Sequence, residues 1–99
     1  MTYEEFYAGV SKAAEKAPNL GKSLRLDLEN DQFVHIDMTG DQAVVSQEAK
    51  EADTVVTTTV DTLHDLRTGN LNPMMAMMGG KVKIKGDMGL AMKLQDLLK

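Results

Sequence analysis

Between Leu24 and Met38 the hydropathy of this chain changes at almost every residue. Leu24, Leu26 and Leu28 alternate with Arg25, Asp27 and Glu29. After Asn30-Asp31, the series Val34, Ile36 and Met38 alternates with Phe33, His35 and Asp37. A period of two sends successive side chains to opposite faces of a strand, so each segment has one apolar face and one wet face. Thr39-Gly40-Asp41 is a second turn, and Ala43, Val44 and Val45 form a third, short strand. Turns this short join antiparallel neighbours, so the three strands are predicted to form a meander. One apolar sheet face then has to be covered by other elements.

The flanking sequence supplies helices. Thr2 and Glu5 have capping-box spacing, and Tyr3, Phe6, Tyr7, Val10, Ala13, Ala14 and Ala17 recur on one helical face until Pro18, Asn19 and Gly21 end it. Residues 47–52 are a polar connection, and Thr54 to Val60 is a β-branched fourth strand. Asp61 is placed to cap a short helix carrying Leu63 and Leu66, stopped by Gly69. Asn72 caps a further helix with Pro73 at its first position, and Gly79 or Gly80 supplies the left-handed residue that ends it. Lys81 to Lys85 is a fifth strand, and Asp87 caps a last helix whose face is Leu90, Ala91, Leu94, Leu97 and Leu98. The order predicts a single α+β domain over residues 1–99. It has a five-stranded, mainly antiparallel sheet with helices covering one face.

Composition excludes several functions. A net charge of −4 argues against a general nucleic-acid binder, which needs a dominant basic surface. With no cysteine, disulfides, thiolate catalysis and cysteine metal sites are excluded. No apolar run approaches the roughly 20 residues of a membrane span. The acidic start, Met1-Thr2-Tyr3-Glu4-Glu5, lacks a signal-peptide core, and Leu97-Leu98-Lys99 is not a peroxisomal address. A cytoplasmic location is expected. His35 with Asp37, and His64 with Asp61 and Asp65, offer too few ligands for a metal site and read as solvent-facing polar residues. Ser11, Ser23 and Ser46 sit in no nucleophile elbow, and Gly79-Gly80 follows a helix rather than a strand, so it is no phosphate loop. No catalytic residue, metal or cofactor is expected.

Aromatics are scarce, with two Phe, two Tyr and no Trp, so the interior must be aliphatic and methionine-filled. Six of the eight methionines fall between Met74 and Met92. Met74, Met75, Met77 and Met78 point in successive directions around one helix, so one face cannot hold them all. By composition alone, core packing is the commoner use of methionine. The other use is a pliable wall, since two such helices flanking a strand could cover a sheet without filling the space beneath. Lys81, Lys83 and Lys85 share one face of the fifth strand. They read as a solvated or aggregation-resistant edge before they read as a strip for anionic membrane or acyl-CoA phosphates.

The stretch Leu63-x-x-Leu66-x-x-Gly69-x-Leu71-Asn72-Pro73, then Gly80-Lys81-Val82-Lys83-Ile84-Lys85-Gly86-Asp87, then Leu90-Ala91-x-Lys93-Leu94, resembles the sterol carrier protein type 2 family of lipid-binding domains. The match is close over about a third of the chain. The resemblance implies an apolar tunnel between sheet and helices. It also implies non-catalytic binding and transfer of fatty acid, acyl-CoA, phospholipid or sterol. It turns Met74, Met75, Met77, Met78, Met88, Leu90, Ala91, Met92, Leu94, Leu97 and Leu98 into candidate cavity wall, and Gln95 into a candidate for holding a head group at the mouth. Two departures stand out. Family members often carry an aromatic residue near Met77, where this chain has only methionine, and many run on past the last helix. The implied partners are a lipid or acyl-CoA ligand and transient membrane contact, with no nucleic acid, the chain being a monomer or weak homodimer. The competing reading is a protein–protein interaction or dimerisation module using the methionine-rich helix. A lipid enzyme ranks third, for want of a nucleophile or base.

Overall fold

The alternation over 24–38 becomes two antiparallel strands in a computed structural model that describes residues 2–16 and 21–97, the side chains of 94–97 excepted. In β1 (Ser23–Leu28) and β2 (Gln32–Asp37), Leu24 lies opposite Ile36 and Leu26 opposite Val34, which gathers the apolar residues on one face. The turn between them needs two left-handed residues. Asn30 (φ 59°) and Asp31 (φ 55°) supply them, being among the side chains that tolerate this region best. β3 (Val44–Ser46) continues the meander with Val45 opposite Ile36.

The fourth strand does not follow the third in space. β4 (Thr54–Thr57) lies parallel to β1, on the side away from β2, with Val56 opposite Leu26. β5 (Lys83–Lys85) pairs antiparallel with β4, giving the order β3-β2-β1-β4-β5. To reach that position the chain must cross β2 and β1, and its contacts show that it does so over the outer face. Arg25 Nη1 donates to the Lys50 carbonyl at 3.2 Å, and His35 Nε2 donates to the Glu51 carbonyl at 3.0 Å. The Ser23 amide donates to Asp53 Oδ2 at 2.8 Å. This crossover corrects the reading of His35 as solvent-facing. The ring is only 5% exposed, because residues 50–51 lie over it.

The inner face carries the core. Leu24, Leu26, Leu28, Val34, Ile36 and Val56 are buried against Phe6 and Val10 of α1 (Tyr3–Ala14) and against the helices that follow β4. The predicted capping box closes α1, with the Glu5 amide donating to Thr2 Oγ1 at 3.1 Å and the Thr2 amide to Glu5 Oε1 at 3.2 Å. Ala17, Pro18 and Asn19 lie outside the described residues, and the helix itself closes at Ala14. Two tyrosine hydroxyls then pin α1 to the sheet edge. Tyr3 Oη donates to the Phe33 carbonyl at 2.6 Å and Tyr7 Oη to the Val45 carbonyl at 3.2 Å. Burial pushes the Tyr3 phenol above its ordinary pKa.

Three boundaries differ from expectation, each for a local reason. α2 (Val60–Thr68) is capped by Thr59, whose Oγ1 accepts from the Thr62 amide at 3.1 Å, and not by Asp61. Asp61 sits inside the first turn, where its charge complements the helix N-terminus. β4 therefore stops at Thr57, before the capping residue. In α3 (Pro73–Met78), Asn72 caps as expected, its Oδ1 accepting from the Met74 amide at 2.9 Å. The left-handed residue after α3 is Gly80 (φ 75°). The Lys81 and Val82 amides both donate to the Ala76 carbonyl, at 2.8 and 3.3 Å, so these two residues close α3 and β5 begins only at Lys83. α4 (Met88–Leu97) starts on Asp87, whose Oδ1 accepts from the Gly89 amide at 2.8 Å and the Leu90 amide at 3.3 Å.

Candidate functional site

Beside β4 and β5 the inner sheet face is roofed by short helices, and it is here that the packing is incomplete. Val56 and Ile84 lie opposite each other in the β4–β5 ladder and, with Val82, form the floor of a pocket. Leu63, Leu66 and Arg67 of α2 make one wall, Pro73 and Met77 of α3 another, and Ala91 and Met92 of α4 a third. Nine of these ten side chains are apolar; the exception is Arg67. The cavity volume is about 50 Å³, room for about three or four waters by the usual measure. A cavity of that size has no room for a long alkyl chain unless its walls part.

The walls are suited to parting. α3 is six residues long, and a helix this short holds its place through tertiary contacts rather than its own hydrogen bonds. Positions three and four apart share a face, so Pro73, Ala76 and Met77 turn inward together. Ala76 is fully buried and Met77 lines the pocket. Met74, Met75 and Met78 face solvent, at 72%, 64% and 82% exposure. In α4, Leu90 and Ala91 are buried, Met92 lines the pocket from a half-exposed position, and Met88 is half-exposed outside it. Of the twelve candidate wall residues, the pocket brings together Met77, Ala91 and Met92, with Leu90 in the adjoining core. The side chains of Leu94, Gln95 and Leu97, and the whole of Leu98, lie outside the described residues. The pattern reading missed Leu63, Leu66, Arg67, Pro73, Val82, Ile84 and Val56 as wall. The signal for most of them was present, since inward alternation in β4 and β5 converges with the Leu63/Leu66 face. Arg67 gave no apolar signal to follow.

The junction between β5 and α4 fixes one wall of the pocket. The Asp87 amide donates to Thr54 Oγ1 at 3.0 Å, and Lys22 Nζ donates to Asp87 Oδ2 at 2.8 Å. That ion pair, helped by the Leu90 and Gly89 amides, holds the Asp87 carboxyl below the ordinary aspartate pKa and raises that of Lys22. A carboxyl whose pKa is lower folded than unfolded contributes stability above its unfolded value and loses it as pH falls through the folded one. Acidification through about pH 4 and below should therefore loosen the start of α4. Asp87→Asn keeps a capping side chain and removes the charge. Urea midpoints of this variant should depend less steeply on pH over that range than those of the parent protein; parallel profiles would remove the ion pair from the account.

Among the described residues, no three His, Cys, Asp or Glu side chains come together as a metal site. No helix there is long and apolar enough to cross a membrane.

Comparison with known proteins agrees with this architecture. The model of the SCP-2 sterol transfer family matches residues 4–99. Sterol carrier protein 2 of Bos taurus is 47% identical over 58 residues, which is 59% of this chain and 11% of that one, so the chain spans about a tenth of this relative's length. The solution structure of sterol carrier protein domain 2 of Helicoverpa armigera superposes with a TM-score of 0.74 at 27% identity, covering 95% of this chain and 83% of that one. Sterol carrier protein-2 of Aedes aegypti, solved in complex with the C16 fatty acid palmitate, shares the fold with a TM-score of 0.70 at 19% identity, covering 99% and 96% of the two chains. With a family match over nearly its whole length and the same sheet and helices, the chain belongs to the SCP-2 sterol transfer family.

Proposed function

We propose that residues 1–99 form one non-catalytic lipid-binding domain. It would take a fatty acid, acyl-CoA, phospholipid or sterol into the pocket between the sheet and α2, α3 and α4, and carry it between sites in the cytoplasm. The observation that carries this reading is the pocket itself, a hollow with nine apolar side chains out of ten among the described residues, roofed by short helices and two methionines. Desolvating an alkyl chain contributes about 0.8 kcal/mol per buried methylene, enough to offset parting of the walls once several are inside. Met77 and Met92 can repack around different chains, which favours breadth over selectivity. Met74, Met75, Met78 and Met88 would ring the entrance; Leu94, Leu97 and Leu98 are further candidates for lipid contact, and Gln95 a candidate for holding the head group. The palmitate complex of the Aedes aegypti protein supports the same use of the fold.

Native mass spectrometry of the purified protein, with titration of a fluorescent fatty acid, tests the proposal. Co-purified lipid or saturable uptake at one per chain is expected; neither appearing would end it. The exposed face of Met74, Met75 and Met78 favours a second reading, in which α3 seats a second copy of the chain. Sedimentation showing a concentration-dependent dimer that lipid does not perturb would favour that alternative.

A further inference from the structure

The chain has two arginines, and they are used differently. Arg25 is engaged. Its Nε and Nη2 donate to the two Asp27 carboxylate oxygens at 2.7 and 3.2 Å, and Nη1 donates to the Lys50 carbonyl. Arg67, among the described residues, has no hydrogen bond or ion pair. It lies in the last turn of α2, where a positive charge complements the carbonyl end of the helix. Its stem forms part of the apolar wall, as long basic side chains often do. That leaves at the pocket's edge an exposed planar cation whose five donors meet solvent and, among the described residues, no protein acceptor.

The surroundings of this cation have a shape. A shallow depression adjoins the pocket; Leu66, Arg67 and Pro73 belong to both, and Thr68, Gly69, Leu71 and Asn72 complete it. An apolar slot thus opens, at Arg67, into a hollow of mixed polar and apolar lining. Gly9 of α1 faces the guanidinium without a side chain; a Cβ there would stand 3.9 Å from Arg67 Nη1. Among the described residues, neither lining contains a carboxylate. Asp65, two residues earlier on α2, points away from Arg67 around the helix.

We infer that Arg67 anchors the head of the ligand, and that the pocket selects single-chain amphiphiles ending in a carboxylate or phosphate over neutral lipids. This rests on the lipid-binding reading above and narrows it. Guanidinium matches both oxyanions through paired N–H donors. The chain as a whole is net negative and repels anions, so any preference for them must arise locally.

Equilibrium dialysis of radiolabelled dodecanoate, dodecyl phosphate and dodecanol against the parent protein and Arg67→Met is the test. Methionine keeps an apolar stem in the wall, and matched urea midpoints confirm folding. The parent should hold the anions about tenfold more tightly than the alcohol, and Arg67→Met should bring the ratio of anion to alcohol affinity, measured on the same variant, to about one. Added salt should weaken anion binding to the parent alone. The two anionic arms identify which head is preferred. Equal affinity of the parent for all three ligands, or an anion preference that survives in Arg67→Met, overturns the assignment and leaves lipid binding standing. Failure of the parent to bind any of the three overturns both.

Discussion

Gly86→Ala is expected to destabilise the protein by about 3 kcal/mol, with a matching fall in its urea midpoint. Gly86 sits at φ 116°, a conformation that side chains rarely adopt. Space is a second obstacle. A Cβ on Gly86 would stand 2.5 Å from the Asp53 carbonyl oxygen, 3.0 Å from Thr54 Cα and 3.1 Å from Thr54 Oγ1. The first two are backbone atoms at the entry to β4 and cannot swing aside, while Thr54 is fully buried. Relief requires the β5–α4 junction to move outward, which would break the bond from the Asp87 amide to Thr54 Oγ1 and tilt the start of α4. Gly40→Ala serves as the control, because its Cβ would meet only the Gln42 carbonyl at 3.9 Å, at ordinary contact distance. That variant should stay within about 0.5 kcal/mol of the parent. A Gly86→Ala midpoint as high as that of Gly40→Ala would show that the junction yields freely.

The junction also illustrates what patterning can and cannot foresee. The faces of β1 and β2, the capping box on α1, the Asn72 and Asp87 caps and the helix order are all local, set by residues within a turn or two of one another. They were legible for that reason. The parallel pairing of β4 with β1 is not local. Residues 47–53 look like an ordinary polar connection, and nothing in their composition says that they cross the outer face and bury His35. The short β5 has a related cause. Lys81 and Val82 fit a strand by alternation, but the Ala76 carbonyl at the end of α3 claims their amides. Pliable methionines and short helices point to incomplete packing, but what lies beneath them is a pocket of about 50 Å³ and not the expected tunnel. The pocket's membership was not legible, because a six-residue helix turns only one side inward and pattern alone could not say which methionine that side would hold. Arg67 carried no signal in the pattern, since a lone basic residue near a helix end is ordinary.

Ala91→Phe should abolish most lipid binding, lowering affinity for a fluorescent fatty acid by at least about tenfold, and should do so in a folded protein. Ala91 is buried on α4 with its methyl group in the pocket wall, opposite Leu63 and Leu66 on α2. A phenyl ring at this position would fill the small slot and push on its neighbours. The half-exposed Met92 and the pliable Met77 border that space and can give way, which keeps the overpacking penalty to about 1–3 kcal/mol. A ligand must then displace the ring as well as part the helices, and it loses the wall that desolvated its chain. Leu66→Ala tests the same geometry from the other side. It widens the slot, should destabilise the fold by about 2 kcal/mol, and should leave fatty-acid affinity intact or improved. Opposite effects of the two variants on binding, with stability lowered in both, would place the alkyl chain inside the pocket. Were Ala91→Phe to bind as tightly as the parent, any lipid taken up would have to lie elsewhere, and the exposed methionine face of α3 would become the first place to look.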